Sequence, residues 1–193
     1  MNFLEEKITH DGTIHPGNVL KIDNFLNHQI DIRTMRQIAQ ELKRRFEGKE
    51  VTKILTIEAS GIAIGTMLAD LYDVPEVFAK KGQTANSTDD KYMSQAYSFT
   101  HKRMNNIFVS RPYLQRGEKV LIVDDFLADG EASKALIDIV HQAGAEVVGI
   151  GIAVEKGMQQ GGRKLREAGY QVESIAIIDQ MDYETQTITF REQ

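Results

Sequence analysis

The sequence predicts an α/β fold in which helices flank a central parallel sheet. Short apolar segments alternate along the chain with segments that have the apolar spacing of helices. The apolar segments lack strict in–out alternation, as expected for strands that are covered on both faces. The chain has 193 residues, 41% hydrophobic and 26% charged, which suits one globular domain with a large core. We therefore expect a single domain over residues 1–193.

The composition excludes several classes of site and partner. There is no cysteine, so disulfides, thiolate metal sites and a cysteine nucleophile are excluded. The histidines do not fall at metal-ligand spacing. The formal net charge of −5 argues against general nucleic-acid binding. The N-terminal segment MNFLEEKITHDG has no apolar signal region, and no apolar run is long enough for a membrane span. We expect a soluble, cytoplasmic protein without nucleic-acid or membrane partners.

The first half of the chain gives one amphipathic helix and one βαβ pattern. Apolar side chains recur at helical spacing over residues 31–47, and a glycine follows. Residues 1–30 precede this first regular helix. A turn is expected there at His15-Pro16-Gly17, because proline and glycine favour turns. The remaining expected elements of this half are a strand at 53–58, a helix at 60–72 and a strand at 75–80.

The second half continues the alternation of strands and helices. A third strand is expected at 119–125, and the helix that follows it, over about 131–142, is closed by Gly144. The last expected elements are a strand at 146–154, a helix at 161–169 and a final strand at 172–178.

Residues 81–106 do not fit this pattern, because they are polar and have little apolar periodicity. A long irregular stretch inside a compact domain is usually a functional loop or a disordered one. We favour a mobile lid over residues 81–106. The alternative is an excursion of two polar strands on the surface.

Two resemblances to catalytic motifs fail on their residues. The segment EASGI has Glu58 and Ile62 where a nucleophile elbow needs glycines, so Ser60 is not expected to be a nucleophile. The segment GMQQGGRK has glycines at P-loop spacing. However, Arg163 stands in place of the phosphate-binding lysine, and Lys164 stands in place of the hydroxyl residue that binds Mg²⁺.

Two adjacent carboxylates close the most apolar strand, in the segment VLIVDDFLADGEA. Ligands of open parallel sheets bind beyond the carboxyl ends of the strands, where Asp124 and Asp125 are expected. Side chains alternate along a strand, so the two carboxylates should face different ways. Paired carboxylates at this place suit the hydroxyl groups of a ribose, a cation-like sugar or a metal ion.

The residues that follow, Ala128 to Ala132, combine small side chains with a glycine at the start of a helix. Free backbone N–H groups and the helix dipole make such a place an anion site, which beside ribose acceptors describes a ribose 5-phosphate pocket. The alternative is that Asp129 caps the helix and Glu131 stabilises its first turn. The residues alone leave both interpretations open.

This segment resembles the signature of type I phosphoribosyltransferases, and the resemblance extends over nearly the whole chain, to the bacterial xanthine-specific members of that family. It implies the family fold, with an N- and C-terminal hood formed by about residues 1–30 and the C-terminal segment, and a long flexible loop at about 81–106. The sequence departs from the common signature. Asp129 replaces Thr or Ser, Glu131 replaces a small residue, and Ala132 replaces Thr.

The resemblance implies transfer of the 5-phosphoribosyl group from 5-phosphoribosyl 1-pyrophosphate (PRPP) to xanthine, giving xanthosine 5′-monophosphate (XMP) and pyrophosphate. Mg²⁺ would enter as a complex with PRPP or pyrophosphate rather than at a dedicated protein site, and a homodimer is expected. Two alternatives remain open: a regulatory protein that senses PRPP or a nucleotide on the same fold, and an enzyme for adenine, hypoxanthine, guanine or orotate.

The family's site residues transfer to this sequence position by position. Asp124 and Asp125 would be the catalytic residues that contact the ribose. The implied PRPP-binding residues are Ala128, Asp129, Gly130, Glu131, Ala132, Ala59, Ser60, Gly61, Lys80 and Lys81. The implied xanthine-binding residues are Leu20, Phe25, Asn27 and Lys156. Without the resemblance, Ser60 reads as a helix cap, Lys80 and Lys81 as a solvated pair, Leu20 as core and Lys156 as surface.

Overall fold

The computed structural model describes residues 1–82, 90–98 and 103–193. In this part of the chain the α-helices are α1 (Phe3–Asp11), α2 (Ile32–Arg45), α3 (Gly61–Tyr72), α4 (Glu131–Gln142) and α5 (Gly161–Glu167). The strands are β1 (Thr13–His15), β2 (Val19–Lys21), β3 (Lys53–Ile57), β4 (Glu76–Gly82), β5 (Lys91–Ser98), β6 (Arg103–Ser110), β7 (Lys119–Leu127), β8 (Glu146–Lys156), β9 (Val172–Asp182) and β10 (Thr187–Phe190).

The main sheet confirms the predicted α/β architecture. Among the described residues its strand order is β10-β9-β8-β7-β3-β4-β6-β5. The central strands β9, β8, β7, β3 and β4 pair in parallel, whereas β10, β6 and β5 add antiparallel edges. Helices connect the parallel strands, so the carboxyl ends of β3, β7 and β8 meet at one edge of the sheet.

Strand β7 shows how the two faces of the sheet are covered. Leu121 and Val123 belong to the core that contains α2 and α3, whereas Val120 and Ile122 belong to the core that contains α4. All four side chains are fully buried. Because both faces are apolar, the strand reads as a continuous apolar run, which is why it stood out in the sequence.

The N-terminal hood includes a helix that the sequence did not predict. Residues 1–30 were expected to precede the first regular helix, but α1 forms there, and Asn2 caps it through hydrogen bonds from Leu4 N–H and Glu5 N–H. The helix is short and buries few apolar side chains, so its periodicity was too weak to detect. Strands β1 and β2 pair around a turn at 16–18, one residue later than the turn predicted at 15–17, because His15 still belongs to β1.

The hood and the C-terminal segment are joined by side-chain hydrogen bonds. Gln186 accepts from Ile14 N–H at 3.0 Å and donates to Ile14 O at 2.9 Å. Asn2 Nδ2 donates to Ile175 O at 2.7 Å. These contacts hold the N-terminal segment over the side of the sheet where β9 and β10 lie.

The segment predicted as a lid contains two strands. In its described part, β5 and β6 form an antiparallel hairpin that continues the sheet from β4, as the alternative of two polar strands required. The mobile lid was favoured over these strands because they alternate little between apolar and polar residues. The rest of the predicted lid, 83–89 and 99–102, lies outside the described residues.

Several predicted boundaries are wrong by a few residues. Strand β7 continues to Leu127 rather than ending at Asp125, and β8 extends to Lys156. Helix α5 ends at Glu167 rather than at residue 169. Strand β9 continues to Asp182, and it is not the last strand, since β10 returns along it after a turn. Among the described residues, no helix is long and apolar enough to cross a membrane.

The packing of α2 on the sheet can be tested by comparing a buried and an exposed isoleucine of this helix. Replacing Ile38, which is 0% exposed, by alanine removes buried methyl groups and leaves a cavity, so the free energy of unfolding should fall by about 2–5 kcal/mol. Ile32→Ala on the same helix is the control, because Ile32 is 48% exposed, and it should change that free energy by less than about 1 kcal/mol. Urea unfolding measures both. Equal losses in the two variants would contradict the orientation of α2.

Candidate active site

A cavity of about 320 Å³ lies at the edge of the sheet where the parallel strands end. Its walls come from the end of β7, the loop after it, the start of α4, the β5–β6 hairpin and the turn after β8. It therefore brings together residues that are distant in sequence. The predicted site residues that line it are Lys81, Ala128, Asp129, Gly130, Glu131, Ala132 and Lys156.

The loop between β7 and α4 presents backbone N–H groups to this cavity. Gly130 is the N-cap of α4, with a φ of +83° that L side chains rarely adopt, and no side chain caps the helix. The prediction that Asp129 is the N-cap is therefore wrong, because the helix begins one residue later. The first N–H groups of α4 stay available for an external acceptor, as an anion site requires.

Close packing against α5 fixes this loop. Gly161 N–H donates to Ala128 O at 3.0 Å. A Cβ atom at Gly161 would lie 2.3 Å from Ala128 O and 2.6 Å from Gly130 N, which no side chain tolerates. Glycine at position 161 therefore permits the backbone approach that sets the position of the loop.

The two acids of the loop differ in their partners. Glu131 pairs with Lys134 at 2.8 Å, one turn along α4. The carboxylate of Asp129 is half-buried and has no hydrogen-bond partner in the part of the chain that is described. Glu131 is therefore compensated by a cation, whereas Asp129 contributes an uncompensated negative charge to the wall of the cavity.

The described helices that follow strands of the parallel sheet begin without a capping side chain, unlike α1 and α2. Asn2 caps α1 and Asp31 caps α2 through side-chain hydrogen bonds. In contrast, Ser60 at the start of α3 and Gly130 at the start of α4 make no side-chain cap. Ser60 therefore occupies the N-cap position, as the alternative interpretation required, but its side chain makes no capping hydrogen bond. Helix α5 also begins without a side-chain cap, at Gln160, and these three described helices all follow strands of the parallel sheet, so their N-termini lie at the same edge.

Asp124 is buried beneath the start of α3. It is 6% exposed, and its Oδ1 accepts from Asp125 N–H at 3.0 Å. A Cβ atom at Gly61 would lie 3.2 Å from this oxygen and 2.1 Å from Thr56 Oγ1, so only glycine fits there. Burial raises the pKa of the Asp124 carboxyl well above its ordinary value, the Asp125 charge raises it further, and Lys81 partly offsets both effects.

Asp125 contacts the hood rather than α3. Its Oδ2 accepts from Asn27 Nδ2 at 2.9 Å, although the two residues lie 98 positions apart in the chain. The two carboxylates thus face different elements, as the alternation of side chains along a strand predicted. Neither carboxylate lies at the end of β7, because the strand continues past them to Leu127.

The turn before α3 and the strand β4 adjoin the cavity. The Glu58–Ala59 peptide bond is cis, and the Glu58 carboxylate accepts from Lys81 N–H at 2.6 Å. Lys81 lines the cavity, whereas the neighbouring Lys80 points to the other side of β4, where it lines a separate hollow with Phe78 and Tyr113. The structure therefore separates the two lysines that the sequence treated as a pair.

The predicted base-binding residues differ in whether they line the cavity. Lys156 is half-buried, lines the cavity and lies 5.9 Å from the centre of the Phe126 ring. Asn27 contacts Asp125. Leu20 and Phe25 are 7% and 1% exposed and belong to the core that also contains α2 and α3, and Lys7 lies 5.0 Å from the Phe25 ring. The structure gives no support to a contact between Phe25 and a ligand.

Comparison with known proteins decides the family. The family model of the phosphoribosyl transferase domain matches residues 21–186. The chain belongs to the phosphoribosyltransferase family. Xanthine phosphoribosyltransferase of Bifidobacterium adolescentis is 52% identical over 99% of this chain and 100% of its own length. The corresponding protein of Lachnoclostridium phytofermentans is 49% identical over 99% and 98%.

Solved structures agree on the fold. Adenine phosphoribosyltransferase of Rhodothermus marinus matches with a TM-score of 0.74 and 26% identity, over 90% of this chain and 97% of that chain. The Giardia lamblia structure described as APRTase complexed with 9-deazaadenine has the same TM-score of 0.74 at 18% identity. The predicted type I phosphoribosyltransferase fold is confirmed.

Sequence reasoning missed several residues of this candidate site. Phe126, Ser133 and Gln159 line the cavity, as do Tyr97 and Asn105 of the hairpin. For Phe126 and Ser133 a signal existed, since both adjoin the recognised segment. The hairpin residues gave none, because their strands carry no apolar pattern.

The buried carboxylate gives a testable pH dependence. Below the unfolded-state pKa of about 4, both states hold the proton on Asp124. At higher pH the unfolded chain binds fewer protons than the native one until the raised native pKa is passed, so this group lowers stability as pH rises. Asp124→Asn should therefore melt at a higher temperature than wild type at pH 7, and this gain should vanish near pH 4.

Thermal melts from pH 4 to pH 8 measure this effect. Asp138→Asn is the matched control, because Asp138 lies exposed on α4, and it should show no such gain. An Asp124→Asn variant that loses stability relative to wild type as pH rises would contradict the burial of this carboxylate.

Proposed function

We propose that this chain is a xanthine phosphoribosyltransferase, which transfers the 5-phosphoribosyl group of PRPP to xanthine and releases XMP and pyrophosphate. The proposal rests on one cavity. It is lined by the loop after β7, which leads into the uncapped N-terminus of α4 and suits an anion, and by Lys156, whose ammonium group suits a carbonyl oxygen. Relatives that bear this name match half of the residues over nearly the whole chain.

The sugar phosphate would bind along β7 and the loop after it. Backbone N–H groups of residues 128–132 would hold the 5-phosphate, since α4 begins there without a side-chain cap. Asp124 and Asp125 would accept hydrogen bonds from the ribose hydroxyls. Their negative charge would stabilise the positive charge that develops on the sugar as the bond from C1 to pyrophosphate breaks and the bond to the purine nitrogen forms.

The pyrophosphate would lie between α3 and β4. Ala59, Ser60 and Gly61 offer free N–H groups at the start of α3, and Lys81 lines the adjoining wall. Mg²⁺ would enter as a complex with PRPP or pyrophosphate, held mainly by substrate oxygens and water with Asp124 and Asp125 nearby, and would supply positive charge to the leaving group. The described residues hold no group of three or more His, Cys, Asp or Glu side chains suited to a metal ion.

The purine would occupy the part of the cavity near Phe126 and Lys156. An ammonium group donates hydrogen bonds and accepts none, so Lys156 selects a purine with an exocyclic oxygen over one with an amino group. The Phe126 ring offers an apolar face beside it. Asn27 retains one donor and one acceptor of its amide for the base after its bond to Asp125. Leu20 would contribute only as a buried support.

We also propose a homodimer. Lys80 points away from the cavity of its own chain, toward a surface on which Phe78 is 40% and Tyr113 is 63% exposed. A second copy seated there would cover these aromatic side chains, and Lys80 would be near the partner. Sedimentation velocity measures the oligomeric state. A cytoplasmic location stays a prediction.

A panel of bases tests the proposed reaction. Purified chain with PRPP and Mg²⁺ should form nucleotide from xanthine with a kcat/KM well above that for adenine or orotate, since Lys156 has no acceptor for an amino group. Chromatography of the products measures each rate. Adenine turned over as well as xanthine, or no base turned over at all, would contradict the proposal.

Replacement of Asp125 tests the sugar site. Asp125→Asn keeps the size of the side chain and removes its charge, so kcat for XMP formation should fall at least 100-fold, as loss of a preorganised charge typically costs. Asp138→Asn, exposed on α4, should retain wild-type kcat. Wild-type turnover by Asp125→Asn would remove the role of this carboxylate.

A further inference from the structure

The side chain of Gln159 is a polar group of the cavity that the proposed reaction does not use. Its carboxamide oxygen is buried and has no hydrogen-bond partner among the described residues. A buried acceptor without a partner destabilises the folded state, so native proteins rarely retain one without a reason. Nothing in the described part of the chain supplies the missing donor.

Gln159 lies beside Lys156 on one turn. Gln159 N–H donates to Lys156 O at 2.9 Å, which closes the turn after β8. Both side chains line the 320 Å³ cavity, and both also line a neighbouring hollow of about 510 Å³ below the hood turn at Gly17 and Asn18. The turn therefore places the side chains of Lys156 and Gln159 on the wall between the two spaces, with the unpartnered Gln159 oxygen turned into the protein.

The terminal torsion of a glutamine side chain has a broad energy profile, so its carboxamide can turn toward either space at little cost. A ligand group on this wall would then meet an ammonium donor from Lys156 and a carbonyl acceptor from Gln159 side by side. The complementary edge is a carbonyl oxygen next to a ring N–H, which is the lactam of an oxopurine.

We propose that Gln159 determines base specificity, by accepting a hydrogen bond from the ring N–H next to the purine carbonyl that Lys156 holds. This inference rests on the proposed function and adds a residue to it. An aminopurine presents the reverse order, an amino donor beside a ring acceptor. Such a base would set its donor against Lys156 and its acceptor against the Gln159 oxygen, leaving both protein groups unpaired.

The test compares xanthine with 1-methylxanthine, in which a methyl group replaces the N1 hydrogen. Wild-type chain should prefer xanthine by at least tenfold in kcat/KM, because methylation removes the donor. Gln159→Met keeps the length of the side chain without the amide, so it should lower kcat/KM for xanthine about tenfold and narrow its preference over 1-methylxanthine. The KM for PRPP should stay unchanged.

Gln160→Met is the matched control, because Gln160 is exposed on the same turn and lines neither space. It should retain both the wild-type rate and the wild-type preference. Thermal melting checks that each variant is folded, and Gln159→Leu replaces Gln159→Met if the latter melts early.

The outcomes separate the two proposals. Wild-type turnover together with an undiminished preference for xanthine in the folded Gln159 variant overturns the role of Gln159 alone. An equal loss toward xanthine and 1-methylxanthine with a raised KM for PRPP also overturns it, since it indicates a general distortion of the site. A wild-type chain that turns over no purine overturns the proposed function and this role with it.

Discussion

The site depends on the burial of a carboxylate beneath a helix that has no capping side chain. Asp124 is 6% exposed, in the middle of a parallel sheet, and burial disfavours its charged form. The positive end of α3 lies next to it, and Gly61 is required because a side chain at that position would collide with Thr56 and Asp124. This constraint places a carboxylate pair and free N–H groups at one edge, which is the chemistry that a sugar phosphate needs.

The elements that could be predicted from the sequence are those with a clear local pattern of apolar residues. The segment from Val120 to Ala132 was recognised because its strand is buried on both faces and its loop is short. Helix α1 was missed because only a few of its residues are buried. The β5–β6 hairpin was expected only as the alternative to a mobile lid, because polar strands that pair with each other lack apolar periodicity. The opposite orientation of Lys80 and Lys81 did follow from strand alternation, but the two residues were grouped by charge instead.

The position of the hood depends on contacts between segments that are distant in sequence, and no local pattern predicts such contacts. The hydrogen bond from Asn27 to Asp125 joins the hood to the strand of the proposed sugar site, and the pairing of Gln186 with Ile14 joins the hood to the C-terminal strands. A carboxylate has about four acceptor sites, so Asp125 can bond Asn27 and a ribose hydroxyl together. The same hydrogen bond orients the amide of Asn27, so the sugar site and the base site share one fixed group.

The acidic loop shows which force can hold a phosphate here. The cavity is lined by the cations Lys81 and Lys156 and by the acids Asp129 and Glu131, so its charges nearly cancel, and Glu131 is further compensated by Lys134. Net attraction for an anion is therefore small, and selectivity must come from N–H groups whose directions are fixed by Gly130 and by the contact with Gly161. Such groups bind by position rather than by long-range charge. Two acids are tolerated in this loop because the backbone, and not the side chains, supplies the donors.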